Sequence, residues 1–537
     1  MQTLLLLFSI LLGLTIYAFL TKRYLHIAQL EGYKNKQFVD WLGKNIYSAF
    51  AQPLLVFSSV TAVFVIGRAL AIPKMYLSFT LIVVVLITVL PYISFYTTKK
   101  SKKPLAFTHR MMRLTGISIF IILIESFAVL IFLSGLNSDS VLLWFSAALI
   151  LSPINTLLAN AIAMPYEKYR QGTYVKSAKD KVALMNKLIK IGITGSYGKT
   201  STKFILSAIL AEKYKVLSTP ESYNTTMGTT KVIRDMLNDT HEVFISEMGA
   251  RNIGDIKELC DIVKPDYGII TSIGKQHLET FKSIDNIIKT KHELIEGLET
   301  GGIGFFPSDD DNCYELYTKT TSGKVLYGLD KHIDEADMSV KNIELSDKGS
   351  EFDILCKNGE SIRCSTKLLG KHNVLNILGC AAIAKHLGLS LEQISAGIAK
   401  VEPVPHRLQI LPTQNGTVVI DDAFNSNPVG AKMALEVLAQ FKGRKIIITP
   451  GMVELGKEEY ELNRAFGQCI SESANIAILV GKKRTEAIQE GLKDKSFPME
   501  NIIIAASLDE ASSKLAAIIK AGDVILFEND LPDNYDE

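Results

Sequence analysis

Five long apolar stretches in the first 165 residues constrain this sequence more than any other feature. A helix needs about 20 mostly apolar residues to cross a bilayer, and each stretch approaches or exceeds that length. They contribute heavily to a hydrophobic content of 47%. The sequence therefore predicts an α-helical transmembrane bundle over residues 1–165. The stretches are residues 3–20, 53–72, 75–97, 115–135 and 140–163.

Basic residues between these stretches predict the orientation of the bundle, because Lys and Arg collect in cytoplasmic loops. The loops after the first and third stretches are basic, whereas the other two connections hold one positive charge, Lys74. We expect a multi-pass protein of the cytoplasmic membrane, with the N-terminus outside and everything after the fifth span in the cytoplasm. The first stretch lacks a basic n-region and a small-residue cleavage site, so we expect it to be retained. The basic residues of the two loops are Lys22, Arg23, Lys34, Lys36, Lys44, Lys99, Lys100, Lys102, Lys103, Arg110 and Arg113.

Two charged residues, Arg68 and Glu125, fall within or near the apolar stretches. A charge at membrane depth is costly and can mark a functional site. Arg68 is close to the end of a stretch, so its side chain is expected to reach the interface. Glu125 is more central, and a contact within the bundle and a functional site are equally consistent with it.

The overall charge and the cysteines exclude several classes of protein. A formal net charge of +2 gives no electrostatic reason to expect a nucleic-acid partner. The six cysteines are far apart and form no CxxC pair, which argues against a zinc site or a disulfide framework. Free thiols in a reducing cytoplasm are therefore expected.

A glycine-rich turn follows the first apolar run after the bundle. A polar linker (about 166–183) leads to a predicted buried strand at Leu188–Ile193, then to Thr194-Gly-Ser-Tyr-Gly-Lys-Thr-Ser201, then to an amphipathic helix through about Leu210. Such a turn directs backbone N–H groups and the helix dipole at an anion. Lys199 would reach the β- and γ-phosphates, and the Thr200 hydroxyl would bind Mg²⁺. Ile193 stands where the GxxxxGK[ST] pattern has its first Gly, so the strand–turn–helix context is the stronger part of the signal.

The rest of the chain predicts two α/β domains, at 184–400 and 401–537. Predicted strands at His241–Glu247 and Tyr267–Ser272 place Glu247 at a carboxyl end, where ligands collect in parallel sheets. A β-rich region after 300 precedes a helical stretch from Gly370 to about 387, and prolines near Val401–Pro405 mark the boundary. The last region alternates strands and helices in a Rossmann-like pattern, without a Gly-x-Gly-x-x-Gly. Its predicted strands are residues 417–421, 445–449, 476–480, 501–505 and 523–527.

Several motifs occur together in the order found in the Mur ligase family. They are residues 194–201, Ile245–Arg251, His277–Glu279, Gly370–Asn376, Asp421–Pro428 and Gly451–Gly456. From 184 to 537 the chain resembles this family, and within it the branch that adds D-alanyl-D-alanine to the UDP-MurNAc-tripeptide. The predicted fold class is thus a transmembrane helical bundle, an α/β P-loop ATPase domain and an α/β Rossmann-like C-terminal domain.

The resemblance implies roles for individual residues, with ATP and Mg²⁺ as cofactors. The expected catalytic residues are Lys199, His277, Lys291 and Arg407. The expected ATP contacts are Gly195, Ser196, Gly198, Lys199, Thr200 and Ser201 in the turn, Asn373 and Asn376 at the adenine, Arg407 at the phosphates and Asp422 at the ribose. The expected metal ligands are Thr200 and Glu247 for one Mg²⁺, and His277 and carbamylated Lys291 for a second. The expected substrate contacts are Asn224, Thr225, Thr226, Asn425 and Asn427.

The family's chemistry implies an acyl phosphate formed from ATP, which an amine then attacks. The resemblance therefore implies a C–N ligase acting on a peptide-like carboxylate and an amino acid or dipeptide in cell-wall precursor synthesis. Membrane stretches stand where the family has a soluble domain for the UDP group, so a lipid-linked acceptor is as consistent with the sequence as a small molecule. Two alternatives stay open: a membrane-associated poly-γ-glutamate-type synthase, and an inactive nucleotide-binding membrane module.

Overall fold

The computed structural model describes residues 2–98, 104–132, 138–220, 223–276, 278–411, 413, 416–423 and 426–530. The chain divides into two compact units, the first ending at Gly172 and the second beginning at Thr173. Four of the basic residues used to predict orientation, at 99, 100, 102 and 103, lie outside the described residues, as do the two candidate site residues His277 and Asn425.

The regular secondary structure in the described part of the first unit is all α-helical. Five of its helices, within the described ranges, are long and apolar enough to cross a membrane. Each overlaps one of the five predicted stretches, although the helix that begins at Ile46 ends at Ala69, three residues before the predicted bound at 72. The short helix α2 was not predicted. The helices are α1 (Gln2–Leu30), α2 (Asn35–Lys44), α3 (Ile46–Ala69), α4 (Lys74–Thr98), α5 (His109–Phe132) and α6 (Ser138–Leu184).

The two charged residues of the apolar stretches have different surroundings. Arg68 lies in the last turn of α3, with its guanidinium carbon 5.4 Å from the centre of the Phe64 ring. Glu125 Oε2 accepts a hydrogen bond of 3.0 Å from Asn155 Nδ2, which also donates to Tyr17 Oη at 2.9 Å. A contact within the bundle therefore accounts for Glu125.

The predicted polar linker at 166–183 is wrong, because α6 continues through it to Leu184. Val175, Ala178, Val182 and Met185 recur at helical spacing and join a core cluster of the second unit. Polar residues dominate the other positions of this segment, which is why its composition indicated a linker.

A nine-stranded mixed sheet organises the first part of the second unit, in the order β2-β3-β1-β4-β5-β6-β7-β8-β9. In this order the pairs from β2 through β7 are parallel, and the last two pairs, β7-β8 and β8-β9, are antiparallel. The strands are β1 (Ile189–Thr194), β2 (Val216–Ser218), β3 (Val243–Glu247), β4 (Tyr267–Ile270), β5 (Ile303–Pro307), β6 (Gly323–Gly328), β7 (Met338–Ser346), β8 (Gly349–Cys356) and β9 (Ser361–Thr366). The helices are α7 (Lys199–Leu210), α8 (Thr226–Asp235), α9 (Asp255–Val263), α10 (Leu278–Phe281), α11 (Ile284–Glu296), α12 (Asp311–Lys319), α13 (Lys371–His386) and α14 (Leu391–Ala399).

A six-stranded sheet organises the C-terminal part, in the order β10-β11-β15-β12-β13-β14. Only the pairing of β10 with β11 is antiparallel among these described strands. The five predicted strands are found within one residue of their expected bounds. The strands are β10 (Gln409–Leu411), β11 (Val418–Asp422), β12 (Lys445–Thr449), β13 (Ile476–Val480), β14 (Ile502–Ala505) and β15 (Val524–Glu528), and the helices are α15 (Pro428–Gln440), α16 (Glu459–Ser473), α17 (Glu486–Asp494) and α18 (Leu508–Ile518).

Candidate active site

The turn between β1 and α7 has a geometry that only glycine allows at two positions. Gly198 has a φ of +77°, and a Cβ there would lie 2.8 Å from Asn376 Oδ1. A Cβ at Gly195 would lie 2.0 Å from Thr271 Oγ1. The first N–H groups of α7 have no carbonyl partner within the helix, and at such a turn they are suited to an anion, as in phosphate-binding turns.

Lys199, the first residue of α7, folds back over this turn. Its Nζ donates to the carbonyl oxygens of Gly195 at 2.7 Å and Ser196 at 3.2 Å. Burial lowers the pKa of Lys199 to about 8, Glu247 opposes this shift, and Arg407 adds to it. A phosphate group at the turn would favour the charged ammonium and so raise this pKa.

The two serines of the motif at 194–201 are Ser196, in the turn, and Ser201, in α7. Ser196 Oγ donates to the carbonyl of Gly274 at 3.0 Å, and the Gly274 N–H lies within hydrogen-bond distance of the same hydroxyl. This side chain fixes the loop after β4 to the turn. Ser201 lies in the first turn of α7.

Glu247, the last residue of β3, is almost completely buried and has partners on both carboxylate oxygens. Oε1 accepts from Thr200 Oγ1 at 3.2 Å and from Asn224 Nδ2 at 3.0 Å. Oε2 accepts from Lys203 Nζ at 3.0 Å, and the Lys203 and Glu247 side chains are 0% and 1% exposed. A hydroxyl and a carboxylate oxygen side by side are ligands that suit Mg²⁺, with water and phosphate completing its shell. The donors present therefore fit the first metal site.

Lys203 was missed by the sequence reasoning. It lies four residues after Lys199 on α7, and one helical turn brings residues at this spacing to the same face. The spacing of four from Lys199 was the signal in the sequence that could have predicted Lys203 as a site residue, because α7 packs on the sheet whose strand β3 carries Glu247.

Lys291 lies on α11 and is 3% exposed. Burial lowers its pKa well below the ordinary lysine value, and the charge of Lys199 adds to this, whereas Asp255 and Glu293 oppose it. Among the described residues, its amine has no hydrogen bond. No group of three or more His, Cys, Asp or Glu suited to a metal occurs in the described ranges, and His277 is not among the described residues.

Arg407 brings the C-terminal domain to the phosphate-binding turn. It lies between His406 and Leu408, which both have positive φ. The Arg407 guanidinium interacts electrostatically with Asp422 and with Glu247, although burial is the larger influence and lowers its pKa. Burial also raises the pKa of Asp422 to about 6, and Arg407 opposes that shift. The structure therefore brings Lys199, Glu247 and Arg407 together from two domains.

Several predicted contact residues have local structural partners. Asn373 Nδ2 donates to Leu369 O at 2.8 Å, and Asn427 Oδ1 caps α15 by accepting from Gly430 N at 2.8 Å. Thr225 caps α8 by accepting from Gly228 N at 3.3 Å, and Thr226 Oγ1 donates to Glu258 Oε2 at 3.0 Å. Asn376 differs from these, because its amide lies directly against Gly198 of the turn.

Two ion pairs join the ATPase part to the C-terminal part beside these residues. Lys275 Nζ lies 2.5 Å from Glu458 Oε2, and Arg251 Nη2 lies 3.7 Å from Glu454 Oε1. All four side chains are partly exposed, so each pair contributes little to stability. Their effect is to bring the loop after β12 against the loops after β3 and β4.

Comparison with known proteins relates the two parts of the second unit to a protein family. Residues 193–384 match the Mur ligase middle domain, and residues 406–528 match the Mur ligase, glutamate ligase domain. The chain is 29% identical over 343 residues to the UDP-N-acetylmuramoyl-tripeptide–D-alanyl-D-alanine ligase of Bacillus subtilis (strain 168), covering 63% of this chain and 72% of that protein. It is 28% identical over 298 residues to the Escherichia coli (strain K12) enzyme of the same name, covering 56% of this chain and 65% of that protein.

A solved structure gives the same relationship. MurF from Acinetobacter baumannii is 25% identical, with a TM-score of 0.62 over 68% of this chain and 78% of that chain. The matched domains are those of ATP-dependent, Mg²⁺-requiring enzymes, and their order along the chain is the predicted one. The chain therefore carries the middle and C-terminal domains of the Mur ligases, and it is an ATP-dependent ligase that forms a C–N bond.

Proposed function

We propose that this enzyme joins D-alanyl-D-alanine, or a similar amine, to the terminal carboxylate of a UDP-MurNAc-tripeptide or a lipid-linked equivalent. The observation that carries the proposal is the convergence of Lys199 and Glu247 from the ATPase domain with Arg407 from the C-terminal domain. Its relatives in Bacillus subtilis and Escherichia coli are UDP-N-acetylmuramoyl-tripeptide–D-alanyl-D-alanine ligases. The product would be a precursor of peptidoglycan.

The proposed reaction begins with transfer of the ATP γ-phosphoryl group to the acceptor carboxylate. Lys199 and Arg407 neutralise charge that develops on the phosphates, and this electrostatic contribution is the main one a protein can make to such a step. The amine then attacks the acyl phosphate, and phosphate leaves with the former carboxylate oxygen. The protein's other contribution to the rate of this step is to position the amine for attack.

The Thr200 and Glu247 oxygens would hold the Mg²⁺ that accompanies ATP. The hydrogen bond from Asn224 Nδ2 to Glu247 Oε1 links this site to the segment 219–226, which we assign to the acceptor. Gly195, Ser196, Gly198 and Ser201 would surround the phosphates, Asn373 and Asn376 the adenine, and Asp422 the ribose. Asn425 and Asn427 would face the amine, and Thr225 and Thr226 would shape the acceptor loop.

We also propose that Lys291 is carbamylated and that its carbamate, with His277, serves a second Mg²⁺. A lysine whose pKa is strongly lowered is largely neutral, and only the neutral amine adds to CO₂. Protein loaded with ¹³C-bicarbonate should show a carbamate carbon signal by NMR that Lys291→Arg lacks. An identical signal in both proteins would remove Lys291 from this role.

Finally, we place the enzyme in the cytoplasmic membrane with its catalytic unit inside the cell. Large apolar side chains are exposed on the helices of the first unit, which suits lipid contact. They include Leu4, Leu11, Val65, Phe79, Phe120 and Phe127. Right-side-out vesicles should protect the catalytic unit from added protease, whereas inside-out vesicles should expose it.

Phosphate release by the detergent-solubilised enzyme tests the proposal. ATP and Mg²⁺ are supplied with UDP-MurNAc-tripeptide and D-Ala-D-Ala, together and singly, with Lys199→Ala as the blank. Release that requires both substrates supports the proposal. Release with neither, or incorporation of labelled glutamate into polymer instead, contradicts it and favours the synthase alternative.

A further inference from the structure

The end of β15 places two polar residues, Glu528 and Asn529, between the loops that follow its neighbours. β15 lies between β11 and β12, and all three strands are parallel. Their carboxyl ends therefore meet at one edge, where open α/β sheets bind ligands. Glu528 is 1% exposed and Asn529 is 9% exposed. Buried polar groups at such an edge need partners, and these two find them in both loops.

Glu528 joins the two loops through its carboxylate. Oε1 accepts from the Ser426 hydroxyl in the loop after β11, and Oε2 accepts from Thr449 Oγ1 at 2.7 Å at the end of β12. Thr449 Oγ1 in turn accepts from Gly451 N at 3.0 Å. One buried carboxylate thus reaches both neighbouring strand ends.

Asn529 repeats the connection through its amide. Oδ1 accepts from Ser426 N at 3.1 Å, and Nδ2 donates to Gly451 O at 2.6 Å. The backbone N–H of Asn529 also donates to Asp422 O at 3.2 Å. Asn529 has a φ of +67°, a conformation that Asn and Gly adopt more readily than other residues. The local backbone is therefore suited to present this amide.

We propose that Glu528 and Asn529 form a clamp that fixes the described end of the loop after β11, at Ser426, against the loop 450–458, and that this clamp positions the incoming amine. The inference rests on the proposed function, which assigns the first loop to the amine. The second loop carries Glu454 and Glu458, the partners of Arg251 and Lys275 in the ATPase domain. The clamp therefore ties the amine loop to the segment that contacts the domain where the acyl phosphate forms. Fixing that distance matters because a misplaced nucleophile reacts much more slowly.

Asn529→Gly tests the clamp with little disturbance of the backbone. Glycine tolerates the positive φ and keeps the N–H that bonds to Asp422 O, while both side-chain hydrogen bonds between the loops are lost. Two such bonds correspond to about a tenfold or larger effect. We expect the KM for D-Ala-D-Ala to rise by that factor, with the KM values for ATP and for UDP-MurNAc-tripeptide unchanged within about twofold.

Asp523→Asn is the matched control, because Asp523 is a buried carboxylate just before the other end of β15, paired with Arg444. It should destabilise the same sheet without changing the KM for the amine. An unchanged amine KM in Asn529→Gly, or an equal rise in Asp523→Asn, would overturn the proposal.

Hydrogen exchange of the full chain in detergent separates this inference from the proposed function. Amides of 426–430 and 449–456 should exchange faster in Asn529→Gly than in wild type or in Asp523→Asn. This comparison needs no substrate. If the wild-type enzyme is inactive with these substrates but Asn529→Gly still exchanges faster, only the substrate assignment is rejected. If exchange in Asn529→Gly is unchanged, the clamp itself is rejected.

Discussion

The buried pair of Lys203 and Glu247 gives the sharpest test of how the metal site is built. Both side chains are almost fully buried, and their charged atoms are 3.0 Å apart. Lys203→Met keeps the length of the side chain and removes the charge, so Glu247 is left without its nearest cation. Breaking a buried pair from one side costs about 3–5 kcal/mol. Since 1 kcal/mol shifts the melting temperature of a domain of this size by roughly 2–4 °C, a loss on the order of 10 °C is expected.

Mg²⁺ should restore part of that loss, because it supplies positive charge to the same carboxylate. Thermal unfolding of the detergent-solubilised chain is measured with ADP and EDTA, and with ADP and Mg²⁺. We expect the Mg²⁺-dependent rise in melting temperature to be larger in Lys203→Met than in wild type. The double variant Lys203→Met/Glu247→Gln should recover most of the stability, because neither charge then remains buried.

Lys190→Met is the matched control for this experiment. Lys190 pairs with Asp266 at 3.3 Å in the same domain, but both side chains are partly exposed. Its loss should cost no more than about 1 kcal/mol and should not alter the response to Mg²⁺. A Lys203→Met protein that loses less than about 1 kcal/mol, or that gains no more from Mg²⁺ than wild type, would refute the reasoning.

Three further predictions follow from the geometry. Gly198→Ala should weaken ADP binding by about 5- to 30-fold by calorimetry, because it combines a strained positive φ with a contact to Asn376, at a cost of about 1–2 kcal/mol. Gly254→Ala, with positive φ and open space, is the control, and ADP binding as tight in Gly198→Ala as in wild type would contradict the prediction. Arg407→Ala should lower kcat by about 10²–10³-fold while ADP still binds, as measured by phosphate release and calorimetry, and a loss of ADP affinity instead would assign Arg407 to ground-state binding. Burial raises the pKa of Glu528 from 4.5 to about 7, so the folded state holds this proton more tightly than the unfolded state does. The free energy of unfolding should therefore fall by on the order of 3 kcal/mol as pH rises from 4.5 to 7. Glu528→Gln should flatten that part of the stability-against-pH curve, and an unchanged slope would show that Glu528 does not titrate there.

The features that sequence predicted well are those coded by local pattern. The strand, glycine turn and helix around Lys199 follow one another within about 20 residues, so their order alone places the turn at a strand end. The C-terminal strands were found within one residue because each is a short apolar run between helices. Glu247 was placed at its strand end for the same reason.

The features that sequence did not predict depend on partners distant in the chain. Glu528 reaches Ser426 and Thr449, which are 102 and 79 residues away, and no local pattern connects them. The continuation of α6 was missed because its buried positions are sparse among polar ones, although their helical spacing was readable. The side-chain amides of Asn373 and Asn427 bond to nearby backbone, a detail that depends on rotamers rather than on the motif.

Transfer of oxygen from the acceptor to phosphate tests the central claim most directly. UDP-MurNAc-tripeptide labelled with ¹⁸O in its terminal carboxylate is incubated with the enzyme, ATP, Mg²⁺ and D-Ala-D-Ala. The account predicts one ¹⁸O in each phosphate released, together with ADP and an amide product, and no release by Lys199→Ala. Unlabelled phosphate would mean that water attacks ATP, and label in AMP would mean activation through an adenylate. Either result would contradict an acyl-phosphate ligase.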